Sequence, residues 1–142
     1  CDGHGKGKRQ MTKVQFTHEK AALPKGGESE ELRLIVTGHA QYAEKGRDIV
    51  CAAESILVQA LACSLAAMEP QELYDFTVEG VAGSGCVGIT AIPQPETAAL
   101  VHGLYACALT GFGLLEKHYP ANVSVCLGQA DGTAEEGERD ER

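Results

Sequence analysis

A histidine and a cysteine stand close together where the hydrophobic pattern changes from a strand to a helix. His39 follows the apolar run Leu32–Gly38, and Cys51 falls in the first turn of the predicted helix. A thiol at a helix N-terminus lies near the positive end of the helix dipole, which favours the thiolate. A nearby imidazole can exchange protons with that thiol during acyl transfer. These residue types in this order are compatible with nucleophilic catalysis by a cysteine–histidine dyad and also with two packed core residues.

Two polar residues share a predicted helix face with the cysteine. Asp48, Cys51 and Ser55 are spaced three and four residues apart, which places them on one side of the helix. Asp48 is the predicted N-cap, because its carboxylate can accept hydrogen bonds from the first backbone N–H groups. The negative charge of the same carboxylate disfavours the thiolate form of Cys51. A role in orienting His39 is therefore only the second interpretation of Asp48. Ser55 is expected to support the site through a hydrogen bond or through packing.

A polar loop, Ala40–Arg47, separates the two candidate catalytic residues. Gly38 and Gly46 bracket this loop and allow its two ends to flex. Tyr42 is the residue of the loop that can pack on a peptide side chain. We therefore interpret the loop as a candidate lid or substrate-docking segment.

The composition is that of a single soluble globular domain with an acidic bias. Of the 142 residues, 44% are hydrophobic but only 5% are aromatic, which predicts an aliphatic, alanine-rich core. The formal net charge of −8 argues against direct binding of nucleic acid. It favours a basic protein or peptide as partner.

The six cysteines do not form the close pairs of a zinc site. We recognise no signal peptide of the kind that would direct the protein to an oxidising compartment. We therefore expect reduced thiols in a cytoplasmic protein, with no metal and no cofactor. Four cysteines fall in apolar stretches and are predicted to be small core residues: Cys63, Cys86, Cys107 and Cys126.

The hydrophobic pattern predicts the element order β-β-α-β-β-α-β. Mostly antiparallel strands with two helices packed on one face give an α+β fold. The predicted strands are Met11–His18, Leu32–Gly38, Leu73–Val81, Cys86–Ile92 and Val123–Leu127, and the predicted helices are Asp48–Met68 and Pro95–His118.

Two apolar or glycine-rich segments invite other interpretations. The string from Gly80 to Gly88 lacks the Lys-Ser/Thr ending of a phosphate-binding loop, so it is interpreted as a hairpin turn. No charged residue occurs between Thr97 and Leu115, but three glycines and His102 make this helix a poor membrane span. We expect it to be buried against the sheet.

The two ends of the chain differ in composition from the rest. Residues 1–10 are polar and glycine-rich and are predicted to be a disordered leader, with Met11 as the natural start. Residues 11–129 are the predicted single catalytic domain. Residues 130–142, with six acidic residues and two arginines, are predicted to be an acidic disordered tail.

The residues around the candidate dyad resemble those of the ribosomal-processing cysteine protease family, Prp. Eleven residues separate the histidine from the cysteine, as in that family, and the element order from 11 to 129 is also similar. The matching motifs are Gly38-His39, a loop that contains Gly46, and Asp48-Ile49-Val50-Cys51-Ala52 followed by Ser55.

The resemblance implies a small bacterial endopeptidase, usually a homodimer. Members of the family remove an N-terminal extension from the twenty-seventh protein of the large ribosomal subunit, cutting after aromatic residues, and also process some phage structural proteins. Carried over to this sequence, Cys51 is the nucleophile and His39 the general base and acid. The ten residues before Met11 and the acidic tail depart from the family pattern.

Two alternatives remain open from the residues themselves. The first is a thiol acyl hydrolase without proteolytic activity, which would turn over small thioesters. The second is a non-catalytic protein-interaction module in which His39 and Cys51 are only packed residues. Comparing the reactivity of Cys51 with that of Cys63 or Cys107 would help to separate these possibilities.

Overall fold

The elements follow one another in the predicted order, and two short 3-10 turns precede the third strand and the second helix. The structure is a computed structural model that describes residues 11–44, 46–81 and 84–129. The predicted leader 1–10 and the acidic tail 130–142 lie outside the described residues. The strands are β1 (Thr12–Ala22), β2 (Glu28–Thr37), β3 (Leu73–Val81), β4 (Cys86–Pro93) and β5 (Val123–Gln129), and the helices are α1 (Ile49–Ala66) and α2 (Ala98–His118).

The five strands form one mixed sheet in the order β3-β4-β2-β1-β5. Every neighbouring pair is antiparallel except β1 and β5, which run parallel. The α+β fold is therefore confirmed, with a sheet that is mostly antiparallel. Helix α2 connects β4 to β5 on the far side of β2 and β1, and this long connection lets β5 run parallel to β1.

The first hairpin is longer than predicted. Strand β1 continues to Ala22 and pairs there with Glu28, so both strands extend beyond their predicted ends at His18 and Leu32. Mostly polar residues occupy this end of both strands. Without an alternation of apolar and polar residues, the sequence did not indicate that the strands continue there. Gly26 and Gly27 adopt positive φ angles of 98° and 91° in the tight turn, where glycine has no steric cost.

One face of the sheet carries the core. Strand alternation directs the buried side chains of neighbouring strands to this same face, where the helices pack. The hydroxyl of Tyr105, on α2, donates to the carbonyl oxygens of Leu32 and Ile89 at 3.3 and 3.0 Å. The strand residues of the core include Val14, Leu32, Leu34, Val36, Val87, Ile89 and Ala91.

The two helices pack closely against each other but leave apolar outer faces exposed. A Cβ added at Gly111 of α2 would lie 2.5 Å from Cδ2 of Leu57 in α1, so a larger residue would force the Leu57 side chain to move. Ile56, Leu100 and Leu114 are 61%, 52% and 53% exposed. By length and composition alone both helices could cross a membrane, which is weak evidence because core helices pass the same test.

The cysteine predictions are partly wrong. Cys63, Cys107 and Cys126 are exposed rather than buried, because apolar sequence also covers the outer faces of the helices and the edge strand. These three and Cys51 are free thiols. Cys86 is half-buried and disulfide-bonded, so the expectation of a reduced thiol is wrong there.

Candidate active site

The end of β2 delivers His39 through a sharp turn at Gly38. Gly38 has φ +87°, and its N–H donates to the carbonyl of Gly85 at 2.9 Å. A Cβ at this position would collide with the backbone carbonyl of Met11. Only glycine therefore fits where the chain leaves the sheet, and this constraint sets the direction of the residue that follows.

Gly85 is a site residue that the sequence analysis did not identify. It precedes β4, has φ +99°, and would place an added Cβ only 3.0 Å from Nε2 of His39. The imidazole therefore lies directly over this glycine. The sequence marked the segment only as a turn, because the pairing that brings it beside the end of β2 joins residues far apart in the chain.

Asp48 is the N-cap of α1, as predicted. Its Oδ1 accepts a hydrogen bond from the N–H of Cys51 at 2.9 Å. Its Oδ2 accepts from the N–H groups of Tyr42 and Ala43 at 2.8 and 3.2 Å. These bonds fix the loop to the helix, and none of the hydrogen bonds found for Asp48 among the described residues reaches His39.

The loop is tied to the rest of the molecule at two further points. The amide Nδ2 of Asn122, just before β5, donates to the carbonyl of Ala40 at 2.8 Å. The ring of Tyr42 packs edge-on against that of Tyr119, with 5.2 Å between centroids. Tyr42 is half-exposed and does not line the cavity described below. It therefore anchors the loop while its side chain remains half-exposed.

The electrostatics around the thiol oppose the thiolate. Burial raises the pKa of Cys51, the charges of Asp48 and Glu54 raise it further, and a backbone hydrogen bond from Ala40 only partly offsets them. Burial also raises the pKa of Asp48, but hydrogen bonds from Cys51, Ala43 and Tyr42 outweigh it and hold that pKa below its usual value. The helix-end effect predicted from sequence is thus outweighed by burial, together with the charges of two carboxyl groups, and the resting thiol is protonated at neutral pH.

Glu54 is the second site residue that the sequence analysis missed. It lies one turn beyond Cys51 on α1 and is only 7% exposed. The hydroxyl of Thr12 donates to its Oε1 at 2.9 Å, whereas Oε2 has no partner among the described residues. Burial raises the pKa of Glu54 to about 7, against the hydrogen bond from Thr12 and together with the charge of Asp48. An isolated acidic residue in an apolar helical run was the signal available in the sequence.

One cavity of about 620 Å³ gathers these groups. It contains both candidate catalytic residues, together with Gly38, Gly46, Asp48 and Ser55 from the predicted set. Its lining combines apolar side chains with polar and acidic ones, and its size suits a peptide side chain or small ligand. The residues that line it include Val36, Gly38, His39, Gln41, Gly46, Asp48, Cys51, Glu54, Ser55, Val58, Gly85, Cys86 and Val87.

The arrangement places a thiol and an imidazole in one cavity without joining them. No hydrogen bond between His39 and Cys51 is found among the described residues, and the pKa of Cys51 shows no contribution from His39. Residues 11–44, 46–81 and 84–129 contain no cluster of three His, Cys, Asp or Glu side chains that could hold a metal. The groups present suit acyl transfer once the loop brings the imidazole to the sulfur.

Comparison with known proteins gives a family and a set of similar folds. The family model described as cysteine protease Prp matches residues 11–124. An essential ribosomal processing protease Prp from S. aureus, solved with a covalently linked product peptide, superposes with a TM-score of 0.62 and 19% identity, covering 82% of this chain and 99% of that chain. No curated protein matches the sequence.

Two further structures share the fold. The S. aureus protease in complex with a substrate peptide has a TM-score of 0.56 at 18% identity, covering 82% of this chain and 99% of that one. A protein from Streptococcus mutans has a TM-score of 0.55 at 24% identity, covering 84% of this chain and 95% of that one. At these identities the structures establish the shared α+β fold.

Proposed function

Since this chain belongs to the cysteine protease Prp family, we propose that it removes the N-terminal extension of a bacterial ribosomal protein. The substrate is the twenty-seventh protein of the large subunit, cut after aromatic residues. Cys51 is the nucleophile and His39 the general base and acid. The observation that carries this assignment is that both side chains line one cavity of peptide side-chain size.

The mechanism starts from a protonated thiol. Substrate binding shifts the loop after His39 so that the imidazole aligns with Cys51 and takes the thiol proton. The thiolate attacks the scissile carbonyl, and N–H groups of the first turn of α1 that the cap leaves unused stabilise the oxyanion. His39 protonates the leaving amine and afterwards activates the water that releases the acyl-enzyme.

Substrate capture combines charge with aromatic packing. The net charge of −8 attracts a basic peptide. The half-exposed Tyr42 ring, held in place by Tyr119, offers a surface for an aromatic substrate side chain. Ser55 lines the cavity one turn beyond Cys51 and supports the site from the same helix face.

A homodimer in the cytoplasm completes the proposal. The apolar outer faces of α1 and α2, with Ile56, Leu100 and Leu114 exposed, provide a surface that a second copy would cover. The cytoplasm is where a ribosomal protein is available as substrate. Light scattering of the wild type and of Ile56→Glu tests the dimer, and an unchanged mass in the variant contradicts this face as the interface.

The test of the function is cleavage of a peptide that carries the extension of the host ribosomal protein. Mass spectrometry should find a single cut after the aromatic residues, and Cys51→Ala should abolish it. Cys63→Ala is the matched control, because this free thiol lies on the same helix but is exposed and outside the cavity. Its cleavage rate should equal that of the wild type.

Other outcomes lead to the alternatives. Cleavage retained in Cys51→Ala overturns the assignment of the nucleophile. Turnover of small thioesters without peptide cleavage indicates a thiol acyl hydrolase. If the wild type shows neither peptide cleavage nor thioester turnover, the protein-interaction module is the alternative that remains.

A further inference from the structure

A buried acceptor without a partner lies in the wall of the cavity. Glu54 Oε1 is satisfied by Thr12, which is itself fully buried on β1. Glu54 Oε2 is buried and accepts nothing from the described residues. Buried polar atoms in proteins are nearly always hydrogen-bonded, so an exception inside a site cavity needs an explanation.

The other carboxylate of the cavity shows what a satisfied group looks like. Asp48 accepts three backbone N–H groups within 3.2 Å and is fully engaged by the protein. Glu54 receives one hydrogen bond, and no Lys or Arg is among the described residues that line the cavity. The cavity wall therefore combines acidic charge with an acceptor that the protein leaves unused.

We propose that Glu54 is a specificity-determining residue, which accepts a hydrogen bond from a donor at the end of a substrate side chain. The donor is an ammonium, a guanidinium or a phenolic hydroxyl. The terminal torsion of a glutamate carboxyl is broad, so the carboxyl can turn Oε2 toward the cavity, and the rotatable hydroxyl of Thr12 can still donate to it. The proposal rests on the proposed function in that the ligand is a peptide.

The competing explanation is that Glu54 only joins α1 to β1 through Thr12. The two roles predict different results. A purely structural carboxyl affects stability but does not distinguish substrates that differ by one donor group. A carboxyl that receives the donor distinguishes them strongly, because the analogue without the donor leaves a buried group unpaired.

The first experiment uses peptide pairs that differ by a donor at matched size. Lysine is compared with norleucine, and tyrosine with phenylalanine, at each position flanking the cut. In the wild type, kcat/KM should favour the donor peptide about tenfold or more at one position. A preference in the lysine pair identifies a cation, and a preference in the tyrosine pair identifies a hydroxyl.

The variants assign that preference to one residue. In Glu54→Gln the amide oxygen can still accept from Thr12, while the amide nitrogen presents a donor to the cavity, so the ratio should fall to about one. Glu79→Gln makes the same charge change at an exposed residue of β3 outside the cavity, and should keep the wild-type ratio. A wild-type ratio near one at every position, or one that survives in Glu54→Gln, overturns the proposal.

A second experiment needs no proteolysis. Methanethiosulfonate reagents form a mixed disulfide as the thiolate attacks the sulfenyl sulfur and a sulfinate leaves. The rate ratio of the aminoethyl (cationic) to the methyl (neutral) reagent should be higher at Cys51 than at exposed Cys63, and should fall toward the Cys63 value in Glu54→Gln. An equal ratio at both cysteines, or no change in Glu54→Gln, contradicts the recognition role.

The two readouts separate the two hypotheses. If the reagent rates depend on Glu54 but no peptide is cleaved, the recognition role is supported and the proposed function is overturned. Peptide cleavage with rates that do not depend on Glu54 keeps the function and overturns the recognition role.

Discussion

Two carboxyl groups stand three residues before and three residues after Cys51 on the same helix, yet they have opposite properties. Asp48 lies at the open end of α1, where unpaired backbone N–H groups stabilise its charge. Glu54 lies inside the helix, where the backbone N–H groups are already used and only Thr12 donates to it. The donors at the cap and the smaller burial of Asp48 therefore keep its carboxyl charged, whereas burial raises the pKa of Glu54.

The largest expected difference between the two carboxyls is in the pH dependence of stability. The folded-state pKa of Glu54 is raised from 4.5 to about 7. The contribution of Glu54 to the free energy of unfolding is therefore fully present below the unfolded-state pKa and is lost as pH rises through the folded-state pKa. Between pH 5 and pH 8 the free energy of unfolding should fall by about 2–3 kcal/mol. Urea denaturation followed by circular dichroism measures this loss.

The matched variants for this prediction are Glu54→Gln and Glu79→Gln. The first removes the titrating group, so its stability should change much less between pH 5 and pH 8. The second should follow the wild type, because its carboxyl is exposed. A wild-type stability that rises over this range contradicts the raised pKa of Glu54.

The next effect concerns the cap. Asp48→Ala should lower the free energy of unfolding by about 1–2 kcal/mol, because the helix loses its cap. It also leaves the N–H groups of Tyr42 and Ala43 without an acceptor. Asp48→Asn keeps one acceptor oxygen and should lose less. Equal stability of Asp48→Ala and the wild type would show that the cap contributes nothing measurable.

The smallest effect is on the thiol itself. Asp48→Asn removes a charge that raises the pKa of Cys51, so the pH profile of Cys51 alkylation by iodoacetamide should move to lower pH. Asp75→Asn, at an exposed position of β3 outside the cavity, is the control and should leave the profile in place. A profile that does not move in Asp48→Asn would exclude its charge as a cause of the raised pKa.

Local patterns in the sequence predicted what depends on neighbouring residues. The order of elements follows from hydrophobic periodicity, and the cap at Asp48 follows from its distance to Cys51 along one helix. The approach of His39 and Cys51 to one cavity was also predictable, because a single strand–loop–helix unit carries both.

Contacts between distant segments could not be predicted in this way. The parallel pairing of β1 with β5, the packing of Gly85 on His39, and the hydrogen bond between Thr12 and Glu54 each join residues far apart in the chain. Nothing in the local periodicity of either partner encodes such a contact. The sequence predicted the opposing charge of Asp48, but it did not show the burial of Cys51 or the neighbouring Glu54, which also raise the pKa of the thiol.

The hydrogen bond from Asn122 to Ala40 has a consequence for the order in which the protein matures. Residues 11–118 contain both candidate catalytic groups, but the tie on the loop between them comes from a residue just before the last strand. During synthesis, that tie can form only after residue 122 has left the ribosome and β5 has begun to pair with β1. The catalytic loop thus acquires its final support late in translation, so a nascent chain carries its nucleophile well before the loop is fully held.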